Sequence, residues 1–94
     1  MKEIGHFVGG EQVAGTSGRT ADVYNPATGE VQAQVAMANA SETDAIIAAA
    51  QAAQPEWAAM NPQRRARVMM EYVRLLNRDM DKLAEALSSE HGKT

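Results

Sequence analysis

The C-terminal HGKT, His91 to Thr94, ends as a phosphate-binding loop ends, with a lysine that could reach phosphate oxygens and a threonine hydroxyl that could meet magnesium. The full pattern, GxxxxGK[ST], needs a glycine where Leu87 stands, and it needs a strand where the preceding residues carry helical spacing. The reading is therefore a helix that closes at Gly92. QRRAR, Gln63 to Arg67, has the charge to bind phosphates. Glu71 follows on the same helix and no aromatic residue is interleaved with the arginines, so a solvated or internally paired face is expected, and no nucleic-acid partner. His6 and His91 are too few and too far apart for a metal site, which takes three or four ligands. His6 reads as a surface residue at a strand end, and His91 as a helix-end residue favoured by the helix dipole. Asn39-Ala40-Ser41 matches a glycosylation acceptor in form and is read as an ordinary loop. With no cysteine in the chain there is no thiol nucleophile, no disulfide and no CxxC metal site. No catalytic, cofactor-binding or metal-ligating side chain is assigned.

What elements would position such groups is bounded by size. A chain of 94 residues is at most one small domain, and burial on folding reaches only roughly 60–65% of the surface exposed by the unfolded chain. Of its hydrophobic residues 18 are alanine, while Leu, Ile, Val and Phe together number 15, so the core is thin. A net charge of −3 is too small for the signature of disorder, and a piece of something larger fits better. The acidic balance, pI about 5.3, argues against a general nucleic-acid or membrane-surface role. MKEIGHFVGG has no apolar run of secretory length and nothing downstream could span a bilayer, so a cytoplasmic location is expected.

The first third reads as β. Phe7-Val8 and Glu11 to Ala14 form two short strands about the Gly9-Gly10 turn, and GTSGRT, Gly15 to Thr20, is a flexible connector. Thr20 to Tyr24 resumes the strand pattern. DVYNPATGEV then makes a rigid corner, in which Pro26 fixes its own φ and biases Asn25 toward extended backbone, and Gly29 closes the loop in the left-handed conformation. Val31, Ala33, Val35 and Met37 alternate with Gln32 and Gln34 as the two faces of a further strand.

At Ser41 the period changes to 3.6. SETD offers Ser41 as N-cap with Asp44 in the third helical position, and Ile46, Ala50, Ala53 and Trp57 follow at helical spacing. Ala48, Ala49, Ala52 and Ala53 predict close packing on a neighbour, Trp57 a buried anchor, and Pro55 the end of the helix or a kink. Asn61 caps and Pro62 opens a second helix, whose Val68, Met69, Tyr72, Leu75 and Leu76 lie opposite Arg64, Arg67, Glu71, Arg74 and Arg78. Met69 and Met70 read as core filler. A third helix places Met80, Leu83, Ala84 and Leu87 on one face. The expected architecture is an α+β piece, residues 1–94, with a β-rich 1–38 of hairpins and meander and three helices over 41–93. Its apolar faces are expected to lie exposed as a contiguous patch above about 400 Å².

The ordered set HFVGG, GTSGRTADVYNPATGEV, SETDAIIAAAQAAQPEW, PQRRARVMMEYVRLL and SSEHGKT resembles the beginning of the aldehyde dehydrogenase superfamily. The GTSGRTADVYNPATGEV combination is similar to its CoA-acylating methylmalonate-semialdehyde dehydrogenases. The resemblance covers nearly the whole chain and about a fifth of a typical family member. It implies the N-terminal portion of the α/β NAD-binding domain of an enzyme that oxidises methylmalonate or malonate semialdehyde with NAD and CoA in valine catabolism, giving propionyl-CoA or acetyl-CoA. It implies a homo-oligomer, a tetramer, and the remainder of a parent chain as partner. The family's cysteine, oxyanion-hole asparagine and NAD loop all fall later, so the 94 residues alone are expected to be inactive and to bind neither NAD nor CoA. In some relatives main-chain carbonyls before the Asn-Pro pair help hold a structural monovalent cation, which would map to Val23 and Tyr24. The competing expectation is a helical interaction module that offers Val68, Tyr72, Leu75 and Leu76 to a partner protein.

Overall fold

The paired glycines turn the first hairpin as their backbone freedom allows, with φ of 61° at Gly9 and 81° at Gly10. In the computed structural model, which describes residues 2–93, this turn joins β2 (His6–Val8) to β3 (Glu11–Val13) as an antiparallel pair. β1 (Lys2–Ile4) precedes them, and β4 (Thr20–Tyr24) and β5 (Val31–Ala36) follow. The expected meander is corrected here. β5 is the central strand of a separate sheet in the order β1-β5-β4, antiparallel to β4 and parallel to β1, while the β2-β3 hairpin stands as a sheet of its own. β1 went unread because Lys2–Ile4 is too short to show a period; the partner that organises it lies some thirty residues away, with Lys2 opposite Ala33 and Ile4 opposite Val35.

The Asn25–Glu30 corner is closed from within. The Asn25 side chain accepts from the Ala27 amide at 2.9 Å, the Asn25 carbonyl accepts from the Gly29 amide at 2.7 Å, and the Asn25 amide donates to the Glu30 carbonyl at 2.8 Å. Gly29 takes φ 76°, and a Cβ placed there would meet nothing within 4 Å, so its requirement is one of backbone conformation alone. Beside the corner the β4-β5 ladder slips: Val23 faces Ala33 while Tyr24 faces Val31, which leaves Gln32 as the extra residue of a bulge. The bulge and the corner together receive the end of the third helix, because Gln32 Nε2 donates to the Ser89 carbonyl at 3.0 Å and Pro26 lies against Gly92.

The helices are α1 (Ala40–Ala59), α2 (Pro62–Arg78) and α3 (Met80–His91). Two expectations about α1 are corrected. Its N-cap is Asn39 and not Ser41, so the helical part begins at Ala40. Pro55 lies inside the helix, which continues to Ala59 before the Met60-Asn61-Pro62 segment stops it; proline removes one donor, and the alanines on either side are strong helix formers that carry the chain past it. α2 opens as expected, with Asn61 accepting from the Gln63 amide at 2.7 Å and Pro62 in the first turn. α3 closes at Gly92, φ 85°, whose amide donates to the Ser88 carbonyl at 2.9 Å, so a helix and not a strand precedes Gly92 and Lys93; Thr94, the last residue of HGKT, lies outside the described residues.

Side chains expected inside lie outside. Ala33, on the central strand, is the one buried hydrophobic residue among those described. Trp57 is 39% exposed, Met69 and Met70 are exposed as well, and so are Ala48, Ala49, Ala52 and Ala53 on α1. These corrections share one cause, since helical spacing marks the side that wants cover and does not supply it. Large apolar side chains on all three helices, Ile47, Val68 and Leu83 among them, are exposed. The radius of gyration, 16.8 Å, compares with about 12 Å for a closed domain of this length.

Gly29→Val is expected to destabilise the chain by roughly 1 kcal/mol or more, because a β-branched residue tolerates positive φ poorly. A lower midpoint in urea, read by circular dichroism, checks it; an unchanged midpoint would show that the corner does not depend on that conformation.

Candidate functional site

The most enclosed polar chemistry of the chain gathers on one residue, Glu42, in the first turn of α1. Asn39 and Glu42 form a reciprocal capping box: Asn39 Oδ1 accepts from the Glu42 amide at 2.7 Å, and Glu42 Oε1 accepts from the Asn39 amide at 3.2 Å. The other carboxylate oxygen faces away from the helix. Oε2 accepts from the Thr16 amide at 3.0 Å and lies 3.5 Å from Nε2 of His6. One side chain thus ties the helix N-terminus, the connector after β3, and β2. The Thr16 amide, and after it the Asn39 amide, hold the Glu42 carboxyl below the ordinary glutamate range, against a smaller opposing effect of burial.

His6 is not the surface residue that the sequence suggested. Its side chain is 16% exposed, and its Nε2 is enclosed without a hydrogen-bond partner. Gly15 makes the room, since a Cβ there would stand 2.7 Å from the Ala36 Cβ and 3.3 Å from His6 Nε2. A small cavity of about 250 Å³ adjoins the pair, lined by Val8, Val13, Ala14, Ala45 and Ile46 as well as by His6, Thr16 and Glu42. An imidazole beside a carboxylate has the parts of a general base, but the chain holds no cysteine for it to activate and both Glu42 oxygens are already taken. The arrangement joins chain segments and does not assemble a reaction centre. N-x-x-E, Asn39 to Glu42, was the available signal for the box; the Ser41 reading passed over it by starting the helix at the wrong polar residue.

The other candidates are resolved in the same way. The connector is pinned and not free: Ser17 Oγ donates to the Met37 carbonyl, Arg19 Nη2 donates to the Ala38 carbonyl at 3.2 Å, and the Met37 amide donates to the Arg19 carbonyl at 2.9 Å. Of the QRRAR arginines, Arg65 donates through Nε to the Met60 carbonyl at 3.2 Å and so holds the end of α1. Farther along, Arg74 grips Glu71 at 2.6 and 2.9 Å, and Arg78 grips Asp79 at 2.9 and 3.1 Å. Arg74 lowers the Glu71 carboxyl and Arg78 the Asp79 carboxyl from their ordinary values. Val23 and Tyr24 flank the bulge in the β4-β5 ladder. Among the described residues no group of three or more His, Cys, Asp or Glu could hold a metal ion, and no helix is long and apolar enough to cross a membrane.

Short strands folded on a rigid corner, followed by three helices whose apolar faces lie exposed, define an α+β chain. The comparisons say of which family. The model of the aldehyde dehydrogenase family matches residues 13–94, and the chain belongs to that family. It is 45% identical over 92 residues to malonate-semialdehyde dehydrogenase 3 of Geobacillus kaustophilus, covering 98% of this chain and 19% of that protein. It is 39% identical over 94 residues to the malonate-semialdehyde dehydrogenase of Pseudomonas aeruginosa, covering 100% and 19%. A crystal structure of a Sinorhizobium meliloti protein, described as a methylmalonate-semialdehyde dehydrogenase and complexed with NAD, superimposes with a TM-score of 0.90 at 59% identity. That match covers 97% of this chain and 18% of the other. The chain therefore spans about a fifth of the length of these relatives, and its α+β fold is that of their N-terminal part.

Asn39→Ala is expected to cost about 1 kcal/mol, the usual loss for an N-cap, and Ser41→Ala to stay within about 0.5 kcal/mol. Helicity and unfolding midpoints of the two variants check the assignment; a larger loss from Ser41→Ala would reverse it.

Proposed function

We propose that this chain is the N-terminal portion of the cofactor-binding domain of an NAD-dependent, CoA-acylating dehydrogenase of malonate or methylmalonate semialdehyde. The observation that carries the reading is the 59% identity, over nearly the whole chain, to a protein crystallised with NAD. In the reaction proposed, semialdehyde, NAD and CoA give acetyl-CoA or propionyl-CoA, carbon dioxide and NADH, as a step of valine catabolism in the cytoplasm. NAD, when bound, supplies the hydride acceptor. No residue of this chain is assigned to NAD, CoA or the aldehyde. Its part is to hold the corner, the bulge and the three helices against the remainder of a parent chain, within a homotetramer.

The exposed surface supports that division of labour. The accessible area is 7646 Å², against about 5300 Å² for a closed domain of 10.1 kDa. The excess is larger than one side of a standard protein interface, about 800 Å². A second reading, an independent helical interaction module, draws on the same exposure: Arg67, Val68, Glu71, Tyr72 and Leu75 line a shallow apolar depression on α2.

A chimera separates the two. Replacing the matching N-terminal segment of the Sinorhizobium meliloti protein with this chain is expected to leave kcat/KM for NADH formation from malonate semialdehyde, NAD and CoA within about tenfold of the unsubstituted protein, a change of about 1.4 kcal/mol in transition-state stabilisation. A chimera that folds and binds NAD yet does not turn over would overturn the enzyme reading. The 94-residue chain alone, under the same assay, is expected to produce no NADH above a protein-free control, because it has no thiol to add to the carbonyl.

A further inference from the structure

The β2-β3 hairpin is a sheet apart, and its seat on the rest of the chain is unusually local. It pairs only with itself, and no strand of the β1-β5-β4 sheet continues its ladder. What bridges hairpin to helix is the Glu42 carboxylate, with the Thr16 amide at 3.0 Å and His6 Nε2 at 3.5 Å on Oε2. Immediately beyond Thr16 the chain is fastened independently of Glu42, by Ser17 to Met37 and by Arg19 to Ala38 and Met37. A boundary therefore lies between Thr16 and Ser17. Residues before it meet the first turn of α1 at the Glu42 carboxylate, and residues after it are fastened to the Met37-Ala38 segment that precedes α1, through main-chain carbonyls that do not titrate. Beneath the hairpin lies the apolar cavity bounded by Val8, Val13, Ala45 and Ile46.

We propose that Glu42 is an acid-sensitive latch: as a carboxylate it seats the β2-β3 hairpin on the N-terminus of α1, and on taking a proton it frees the hairpin as a unit, up to Ser17, while the β1-β5-β4 sheet stays formed. The charged form is the better acceptor for both amides, since hydrogen bonds to a carboxylate are roughly twice as strong as neutral ones. The groups that face it are His6 from β2, the Thr16 amide from the connector, and the Asn39 amide with the positive end of the α1 dipole. Arg19, which donates to Ala38 next to the cap, adds positive charge on that side. All of these favour the ionised state. Lys2, Glu3, Glu85 and Glu90 border the other side of His6 across a separate cleft. The direction follows from Glu42 being depressed in the folded chain: seating is complete above the ordinary glutamate range and is lost as pH falls through the depressed value.

Hydrogen exchange tests it. In the full chain, exchange of the His6, Val8, Glu11 and Val13 amides, which face the ladder on either side of the two-residue turn, is followed by NMR between pH 6 and pH 3, corrected for intrinsic rates, and compared with Val23, Val35 and Ala36. Protection of the hairpin is expected to fall relative to the sheet, by up to about tenfold per pH unit below the transition, the limit set by one proton. Glu42→Gln is expected to show the unseated hairpin already at pH 6, with no further acid response, and Asp44→Asn, two residues along the same helix, to behave as wild type. Hairpin and sheet losing protection together in the wild-type chain would overturn the latch, and so would an acid response that survives in Glu42→Gln. The wild-type series alone decides the matter if the variants do not fold.

Discussion

The chain does not bury its own apolar surface, and every other feature follows from that shortage. Ala33 is the one buried hydrophobic residue among those described, and alanine offers little area to withdraw. With the hydrophobic effect so little used inside the chain, shape is held by groups that act over a few residues: caps at Asn39, Asn61 and Gly92, glycines at the two turns, and a side chain that bonds its own loop at Asn25. Such contacts choose local conformation well. They do not draw helices together, and the flat outline, 47 × 35 × 16 Å, is the consequence.

This is also why the sequence was legible in one respect and opaque in another. Turn and cap residues report what the backbone does beside them, so the Gly9-Gly10 hairpin, the strand over Thr20–Tyr24, the start of α2 at Asn61-Pro62 and the stop at Gly92 could all be read directly. Burial is a property of what lies opposite. Trp57, Met69 and Met70 carry the chemistry of core residues, yet whether they are covered depends on what stands opposite them, and no periodicity reports that. β1 escaped notice for a related reason: three residues acquire strand structure only by pairing with β5. At Pro55 one of the two expected outcomes, an end to the helix, is outvoted by the alanines around it, which carry α1 on to Ala59.

Glu42 and His6 were the part of the candidate site least accessible to sequence reading. A glutamate in the first turn of a helix announces a capping box, and one oxygen of Glu42 does that ordinary work. Nothing in the spacing says that the second oxygen reaches Thr16 and His6 across 26 and 36 positions of chain. Gly15 is the hidden condition, because any side chain there would press on Ala36 and on the imidazole.

The corner at Asn25–Glu30 fixes more than its own loop. Its internal bonds make it rigid, and its outward contacts are with the far end of the chain, through Pro26 against Gly92 and through Gln32 of the adjoining bulge to Ser89. The turn that closes the β part therefore also fixes where α3 ends. A loop that sets where a helix ends can tolerate few changes of backbone conformation, since a small rotation at its base displaces everything packed against it.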